Sequence, residues 1–488
     1  HSDSFKELLS ETKAYVKQNP DKKIYVGIGW NIENGILPDV DKNFAKGLDK
    51  ICADKPIILV DSDHHQGIVN TKAMEMIFPK KNISLVAPDK QREDTASLEG
   101  GIILRLPDGR ANGYVRDQVI MYMANELMRD AVNDKEYKCA IEDMQTVLHS
   151  QGYTNYNEGY INFYGDKIFA QLIKNDANDE LEVNMRPNFV LFAYELKDDT
   201  SVAQAINRID GFHQQTSKHI LPAGIKIFVD GVTESRTGAI DTPYVGSTDN
   251  YGNLVTPEET LYKLTKEANK KGIGIHTHSY GNVAVNYTVN AFTKAQNEVN
   301  NGTRNTIAHA RNVFDADYKR MTDNNIAVAE NIVWRTPMTP EYKKLFIETC
   351  LVPDHLQDSA YPVRSFVKNN VIVASSTDAP AANGYPTDVF NLVEMAVNPR
   401  AFNWVAGLDK IEQDLFMACG FTPEKIDKLE ITNADECVPV KDALDIMTIN
   451  GAKYMGIDAD RGSIEVGKYA DFILVDKNVL FCPLNVIV

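Results

Sequence analysis

The sequence has no uninterrupted apolar run near the roughly 20 residues that a helix needs to cross a bilayer. Its most apolar pieces, such as residues 56–60 and 371–375, have the length of β-strands. The N-terminus carries no signal-peptide pattern, although it starts with His1 rather than Met. We therefore expect a cytoplasmic protein that does not enter the membrane, and an export signal upstream of His1 stays open.

Cysteine is scarce and positive charge is in the minority. The six cysteines form no CxxC pair, which argues against a zinc finger or a disulfide scaffold. Lys and Arg number 51 against 68 Asp and Glu, and the net charge of -17 repels phosphate backbones and anionic lipids. No GxGxxG follows a strand-like segment, which weakens a dinucleotide-binding interpretation. We expect a small-molecule substrate and no nucleic-acid or membrane partner.

Strand-like and helix-like segments alternate from about residue 153 to residue 380. The clearest helix covers residues 256–272, where Thr256 and Glu259 are expected to form a capping box. This rhythm predicts a parallel sheet, although a closed barrel needs eight strands and an open sheet does not. The strand candidates are 153–158, 181–192, 224–231, 272–278, 305–310, 325–331 and 370–378.

The two ends of the chain follow a different pattern. Residues 1–150 contain strand candidates within turn-rich sequence, followed by a mostly helical stretch. Residues 462–476 alternate between polar and apolar side chains, with a turn at 466–468, which predicts a β-hairpin.

Polar side chains collect at the carboxyl ends of the predicted strands, where parallel barrels place their functional groups. Imidazole and carboxylate ligands suit zinc, iron or manganese, so the set indicates a metal site. A single histidine is more often a hydrogen-bonded core residue, and only the combination favours a metal. The residues are Glu158, Lys226, Asp230, His276, His278, His309 and Asp378.

Lys226 lies inside an otherwise apolar strand, which is rare for a lysine without a partner. A salt bridge to Asp230 or to another acid would be the structural explanation. The functional alternatives are a Schiff-base lysine and a lysine carboxylated by CO2 that bridges metal ions, and burial assists both by lowering the amine pKa.

Several motifs occur in the order found in the amidohydrolase superfamily. They are "GIKIFVDGVTESRTGAI" at 224–240, "HTHSYGNVAV" at 276–285, "TIAHARNV" at 306–313, "STDAP" at 376–380 and "GSIEVGKYADFILVD" at 462–476. Upstream, "GIGWN" at 27–31 and "DHHQGIVNTKAM" at 63–74 resemble an insertion of one branch. That branch includes N-substituted formamide deformylase and the YtcJ-like proteins, and the resemblance covers nearly the whole chain.

The resemblance implies an α/β fold, a (β/α)8 TIM barrel with a small β-sandwich. It implies an insertion after the first barrel strand and helices leading back to the barrel at 1–150. The barrel then covers 151–440, and the final helix and part of the sandwich cover 441–488. The family's first strand carries an HxH metal-ligand pair, and no such pair precedes the insertion here. The first barrel strand is therefore expected upstream of His1.

The resemblance also implies the site residues. Lys226 matches the carboxylated lysine, His278 and His309 match histidine ligands, and Asp378 matches the aspartate that binds metal and shuttles the proton. His65 matches a histidine of the insertion that faces the site.

Two further residues are candidates for substrate binding, and two positions depart from the family pattern. Trp30 and His276 are expected to border the substrate or to pack. Ala308 stands where the family often has an acidic residue, and Asn282 stands in place of an aspartate. These departures change residues that would orient the metal ligands more than they change the ligands themselves.

The expected function is metal-dependent hydrolysis of a non-peptide carbon–nitrogen bond, amide or formamide-like, with zinc as the expected metal and one or two ions bound. One alternative is a catalytically silent barrel that binds a ligand or regulates. Another is a Schiff-base lyase that uses Lys226. Substrate and oligomeric state, including a homodimer, stay open.

Overall fold

The structure is a computed structural model of the 488-residue chain. It describes residues 5–30, 41–61, 64–98, 100–128, 133–161, 165–335, 352–379, 387–399 and 431–480. The chain divides into two compact units. The first comprises His1–Tyr137, Asn162–Ile168 and Phe192–Tyr194, and the second comprises Lys138–Ile161, Phe169–Leu191 and Glu195–Val488.

The first unit contains a six-stranded mixed sheet with the order β1-β2-β3-β6-β5-β4. β1 and β2 pair in parallel, and the other neighbours pair antiparallel. The strands are β1 (Tyr25–Trp30), β2 (Ile57–Asp61), β3 (Gln66–Val69), β4 (Glu93–Asp94), β5 (Gly101–Arg105) and β6 (Ala111–Asp117). The helices before residue 130 are α1 (Phe5–Gln18), α2 (Phe44–Asp49), α3 (Thr71–Ile77) and α4 (Gln118–Met128), with a 3-10 turn at Phe78–Lys81.

Aromatic side chains fill the core of the first unit. The Phe5 and Phe44 rings pack edge to face with centroids 5.0 Å apart, and Trp30 and Tyr114 do so at 6.3 Å. Such edge-to-face pairs stabilise a core beyond the area that they bury.

The second unit contains a seven-stranded sheet in which all neighbours are parallel, with the order β13-β12-β11-β10-β9-β8-β7. Its strands are β7 (Asn155–Ile161), β8 (Asn184–Leu191), β9 (Gly224–Phe228), β10 (Ile275–Ser279), β11 (Thr306–His309), β12 (Ala327–Glu330) and β13 (Val373–Ser375). Each of the seven predicted strands is confirmed. β9 to β12 are buried at every position, as expected for parallel strands covered on both faces.

Helices connect most of these strands, so the predicted alternation is also confirmed. They are α5 (Asp134–Ser150), α6 (Gly165–Ala177), α7 (Asp199–His213), α8 (Glu258–Lys270), α9 (Asn282–Glu298), α10 (Asp315–Asp323), α11 (Asp354–Asp358) and α12 (Val363–Lys368). After β13 follow α13 (Val389–Val397), α14 (Val440–Met447) and α15 (Ile449–Met455). Short 3-10 turns lie at Ala193–Glu195, Ile332–Trp334 and Ala434–Glu436.

The predicted helix at 256–272 exists as α8, but its predicted cap is wrong. Pro257 occupies the N-cap position and makes no side-chain cap bond. The Thr256 hydroxyl instead donates to the carbonyl oxygen of Phe228 at the end of β9. A tertiary contact has therefore replaced the local one.

The parallel sheet curls so that its two edges approach each other. The Tyr153 hydroxyl, just before β7, donates to the Thr387 carbonyl beyond β13, and the Gln151 amide donates to the Thr387 hydroxyl at 2.7 Å. β7 and β13 lie at opposite ends of the strand order. An α/β fold with a curled parallel sheet is thus confirmed, whereas barrel closure and the predicted boundaries at residues 150 and 440 stay predictions.

The predicted hairpin at 462–476 is wrong for this structure. These residues form turns and extended chain, and within the described ranges no strand pairs with them. Ile464, Val466 and Leu474 are exposed by 96%, 108% and 95%. Two short strands without an apolar surface to pack on are at best marginally stable, so the alternating pattern alone does not produce a hairpin.

In the described part of the chain no helix is long and apolar enough to span a membrane.

Candidate functional site

Three neighbouring strands of the second unit bring four of the predicted residues together. In the register of the sheet, His276 lies opposite Lys226, and Ser279 lies opposite His309. His276 and His278 lie two residues apart on β10, and Lys226 is the register partner of His276. The three side chains therefore share one face of the sheet. His278 and His309 lie at the carboxyl ends of β10 and β11, whereas Lys226 lies in the middle of β9 and His276 near the amino end of β10.

His278 and His309 form a buried pair. Their ring centroids lie 4.4 Å apart at an interplanar angle of 62°. His309 ends β11 with a φ of 77°, and the φ of Asp378 is 51°. Non-glycine residues rarely adopt this left-handed region, and such strain clusters at functional sites.

Each ring of this pair has one nitrogen close to an oxygen. His278 Nε2 lies 3.0 Å from the carbonyl oxygen of Gly231, and His309 Nδ1 lies 2.8 Å from Asn331 Oδ1. These oxygens only accept, so each of these nitrogens carries the proton. In each neutral ring the other nitrogen then holds the lone pair, which is the arrangement of metal-ligating histidines.

Lys226 is buried close to these rings. Its Nζ lies 4.9 Å from the centroid of the Phe228 ring. Burial lowers the pKa of the Lys226 amine to about 8, while the charges of Asp378 and Asp230 act in the opposite direction. A substantial share of the amine is therefore neutral near physiological pH.

The salt bridge between Lys226 and Asp230 is not formed. Asp230 Oδ1 accepts from the backbone N–H of Tyr280, and Oδ2 accepts from those of Gly281 and Ala239, each at 2.9 Å. Among the residues that the structure describes, no carboxylate oxygen lies within 4.0 Å of Lys226 Nζ. Asp230 joins the loops that follow β9 and β10, which places it among the structural residues.

Asp378 and Glu158 come from the two edges of the sheet. Burial raises the pKa of the Glu158 carboxyl to about 7, and the charge of Asp378 adds to this shift. Since Asp378 also acts on Lys226, the ends of β7, β9 and β13 converge. Asp378 itself is exposed to solvent. The sequence predicts Glu158 at a strand end. It does not indicate that the Glu158 carboxyl is electrostatically coupled to Asp378.

Sequence reasoning missed the groups that surround the histidine pair. Trp334 stacks on His309 with centroids 5.6 Å apart and an interplanar angle of 7°. Tyr280 lies 6.1 Å from His278 and 5.8 Å from His309. Burial holds the pKa of the Tyr280 hydroxyl well above its ordinary value of 10.0, so this hydroxyl stays neutral. Their positions in the sequence could have indicated these residues, because Tyr280 directly follows β10 and Asn331 directly follows β12.

His276 is held by one side chain of the neighbouring strand β11 and one of helix α15. Its Nδ1 lies 2.9 Å from Thr306 Oγ1 and 2.9 Å from the Tyr454 hydroxyl. Burial and the charge of Lys226 lower the pKa of His276 well below 6.5, so the ring is neutral. This environment is that of a packed, hydrogen-bonded histidine, and its contact with a substrate stays a prediction.

The predicted metal ligands have the donor groups that a metal ion needs. Only part of the set is arranged as a metal site. Two imidazoles and a lysine with a partly neutral amine lie together, and these are groups that ligate zinc-like ions directly or after carboxylation. Across the described ranges, however, no three His, Cys, Asp or Glu side chains lie close enough to hold an ion. The pair of His278 and His309 is the part of the set that is assembled.

Two other predicted residues lie in the first unit. Trp30 is 3% exposed and packs in the core of that unit, and its indole N–H donates to the Leu59 carbonyl at 3.1 Å. His65 is buried, and its Nδ1 lies 2.9 Å from Asp117 Oδ1. Trp30 is thus a packed core residue in this structure. A role in substrate binding stays a prediction for Trp30 and for His65.

Comparisons with known proteins agree over most of the chain. The model of the amidohydrolase family matches residues 1–485. The putative amidohydrolase YtcJ of Bacillus subtilis (strain 168) is 22% identical over 481 residues, which cover 96% of this chain and 77% of that protein. N-substituted formamide deformylase of Arthrobacter pascens is 22% identical over 453 residues, covering 89% of this chain and 71% of the relative.

The fold also matches a solved structure. An uncharacterized metal-dependent hydrolase from Pyrococcus horikoshii OT3 superposes with a TM-score of 0.64 at 19% identity, covering 99% of this chain and 82% of the other. At this identity the likeness concerns the fold, which agrees with the curled parallel sheet and its polar strand ends. The match of the family model over nearly the whole length shows that the chain belongs to the amidohydrolase family and is an amidohydrolase whose substrate is unknown.

Proposed function

We propose that this amidohydrolase is metal-dependent and cleaves a non-peptide carbon–nitrogen bond, amide or formamide-like, with an activated water. One observation carries the proposal. The buried, mutually close rings of His278 and His309 lie at strand ends beside a buried lysine whose pKa is lowered to about 8. Two relatives, a putative amidohydrolase and an N-substituted formamide deformylase, support this bond class by their names.

Lys226, His278, His309 and Asp378 are the residues proposed to hold one or two divalent ions, with zinc as the expected metal. When bound, the ion makes water acidic enough to supply hydroxide near neutral pH and polarises a carbonyl. Hydrogen bonds to Gly231 and Asn331 fix the orientation of the two imidazoles. The ligating nitrogens are therefore held in place and the rings do not rotate freely.

Lys226 is proposed to act after carboxylation. Its neutral amine adds to CO2 and releases one proton, which leaves a carbamate with anionic oxygens. A pKa of about 8 makes the reactive neutral amine available at physiological pH, whereas an ordinary lysine with a pKa of 10.5 would be almost entirely protonated.

Asp378 is proposed to move the proton. Its exposed carboxylate at the end of β13 is open to solvent and to a small-molecule substrate. It would take a proton from the attacking water and donate it to the departing nitrogen, so that water adds across the carbon–nitrogen bond with protons balanced. His65, Trp30 and His276 stay the proposed substrate-binding residues, acting in a cytoplasmic enzyme with no nucleic-acid partner; a homodimer stays open.

The silent-barrel alternative has one observation in its favour, namely that the described residues contain no group of three His, Cys, Asp or Glu arranged to hold an ion. A Schiff-base lyase is tested separately by trapping Lys226 with borohydride and a carbonyl substrate.

Asp378→Asn separates hydrolysis from silent binding. With formamides and other amides as substrates, the variant should lose turnover while its unfolding midpoint stays that of the wild type, because the amide oxygen cannot take a proton at neutral pH. An Asp378→Asn variant that turns over at the wild-type rate would remove Asp378 from the proton transfer.

A further inference from the structure

Arg186 is a partly buried residue whose positive charge the described residues do not neutralise. It lies on β8, and burial lowers the pKa of its guanidinium below 12.5. Its Nε is enclosed without a hydrogen-bond acceptor, and its side chain makes no hydrogen bond or ion pair within the described ranges. An enclosed charge without a partner is costly, so native proteins rarely keep one.

The groups around Arg186 increase this positive charge. The nearby charges that shift its pKa are the phenol of Tyr454 and the guanidinium of Arg304, and no carboxylate is among them. Arg461 Nη2 donates to Asn184 Oδ1 at 3.2 Å, and Asn184 lies two residues before Arg186 on the same face of β8. Arg304 therefore acts on the charge of Arg186, and Arg461 binds the same strand two residues away, in a chain whose net charge is -17.

Acidic partners are present for the other two arginines. Asp458 acts on the pKa of Arg304, and Arg461 Nε lies 3.1 Å from Asp471 Oδ2. Arg186 is thus the member of the cluster whose charge lacks a counter-ion among the described residues.

Gly456 lies beside this guanidinium. A Cβ atom at Gly456 would lie 4.0 Å from Arg186 Nη2, and Gly456 has a φ of 69°, which favours glycine. The backbone therefore meets this side of the guanidinium without a side chain.

The cluster lies on the same face of the sheet as Lys226, and the charge of Arg186 also acts on the pKa of His276. Lys226 pairs with Val190 across β8 and β9. Arg186 lies four residues earlier on β8, which corresponds to about 13 Å along the strand. His278 and His309 lie at the carboxyl ends of β10 and β11, whereas Arg186 lies near the amino end of β8.

We propose that Arg186, supported by Arg304, binds a small oxyanion at the amino end of the parallel sheet. A planar guanidinium holds phosphate or carboxylate oxygens through two parallel hydrogen bonds, so both the charge and the free donors would be satisfied. The ligand chemistry is an anion with two adjacent oxygens, either an inorganic phosphate or a carboxylate.

The test uses the full chain dialysed into phosphate-free buffer. The unfolding midpoint is measured with increasing inorganic phosphate or acetate, at an ionic strength held constant with sodium chloride, and phosphate binding is measured by calorimetry. The variants are Arg186→Gln, the charge-retaining Arg186→Lys, and Arg208→Gln, which removes an exposed charge on α7 as the matched control.

A bound anion stabilises the folded chain, so the midpoint of the wild type and of Arg208→Gln should rise by about 2 °C at tens of millimolar anion. Arg186→Gln should show no rise, and Arg186→Lys should keep a smaller one, which also serves if Arg186→Gln does not fold. A larger response to phosphate identifies an inorganic anion, and a larger response to acetate identifies a carboxylate. Equal rises in wild type and Arg186→Gln, or no rise beyond sodium chloride in the wild type, would overturn the proposal.

Discussion

Removing the side-chain amide of Asn331 should weaken metal binding without unfolding the protein. Asn331 is fully buried, and its Oδ1 lies 2.8 Å from Nδ1 of the proposed ligand His309. Loss of such a partner of a metal-ligating histidine costs about 10-fold to 100-fold in affinity, or roughly 1.4–2.8 kcal/mol. That range agrees with the roughly 1–3 kcal/mol expected for leaving a buried polar group unsatisfied.

The assay is zinc competition against a chromogenic chelator, with the unfolding midpoint measured in parallel. Asn331→Ala should lose affinity by this factor, and Asn331→Asp, which keeps an acceptor, should retain most of it. Asn286→Ala is the control, because it also loses hydrogen bonds, in this case to the carboxylate of Asp317. Wild-type affinity in Asn331→Ala would refute the orienting role, and an equal loss in Asn286→Ala would show that general destabilisation is the cause.

The remaining predictions concern two buried ionisable groups with opposite effects of pH. The pKa of Lys226 is about 8 in the folded chain and 10.5 ordinarily. The unfolded chain therefore binds more protons between these values, and the stability of the metal-free protein should rise as pH rises from about 8 to about 10.5. Lys226→Met should remove this slope and be more stable at pH 7 by up to about 3 kcal/mol, as denaturant titrations across this range would measure. For the fully buried Glu330, burial raises the pKa well above 4.5. The folded chain keeps a proton that the unfolded chain releases, so stability should fall as pH rises above about 4.5, and Glu330→Gln should flatten that decline. A Glu330→Gln profile parallel to the wild type would show that the Glu330 carboxyl is not the cause.

The sequence was sufficient where local pattern determines structure. β9 to β12 were predicted as short strands that alternate with helical segments, and α8 was predicted as a helix because Leu261, Leu264 and Ala268 share its buried face. The placement of His278 and His309 at strand ends followed from these boundaries.

Tertiary contacts determine what the sequence did not indicate. Asn331 and Trp334 meet His309 only because β11 and β12 are neighbours, and the Tyr454 hydroxyl reaches His276 across 178 residues of chain. The same reason explains the wrong cap at Thr256, whose hydroxyl found a partner on β9. The coupling of Glu158 to Asp378 depends on the curling of the sheet, which strand patterns alone do not specify.

The most direct measurement is the metal content of the purified chain after incubation with zinc, determined by elemental mass spectrometry alongside Lys226→Ala. Lys263→Ala is the control, because that lysine lies on the surface of α8 in an ion pair with Asp199. A metal site built on Lys226, His278 and His309 predicts about one or two ions per chain, retained in Lys263→Ala and lost in Lys226→Ala. A wild-type chain that holds no ion, or a Lys226→Ala chain that keeps its full content, would contradict the proposed site.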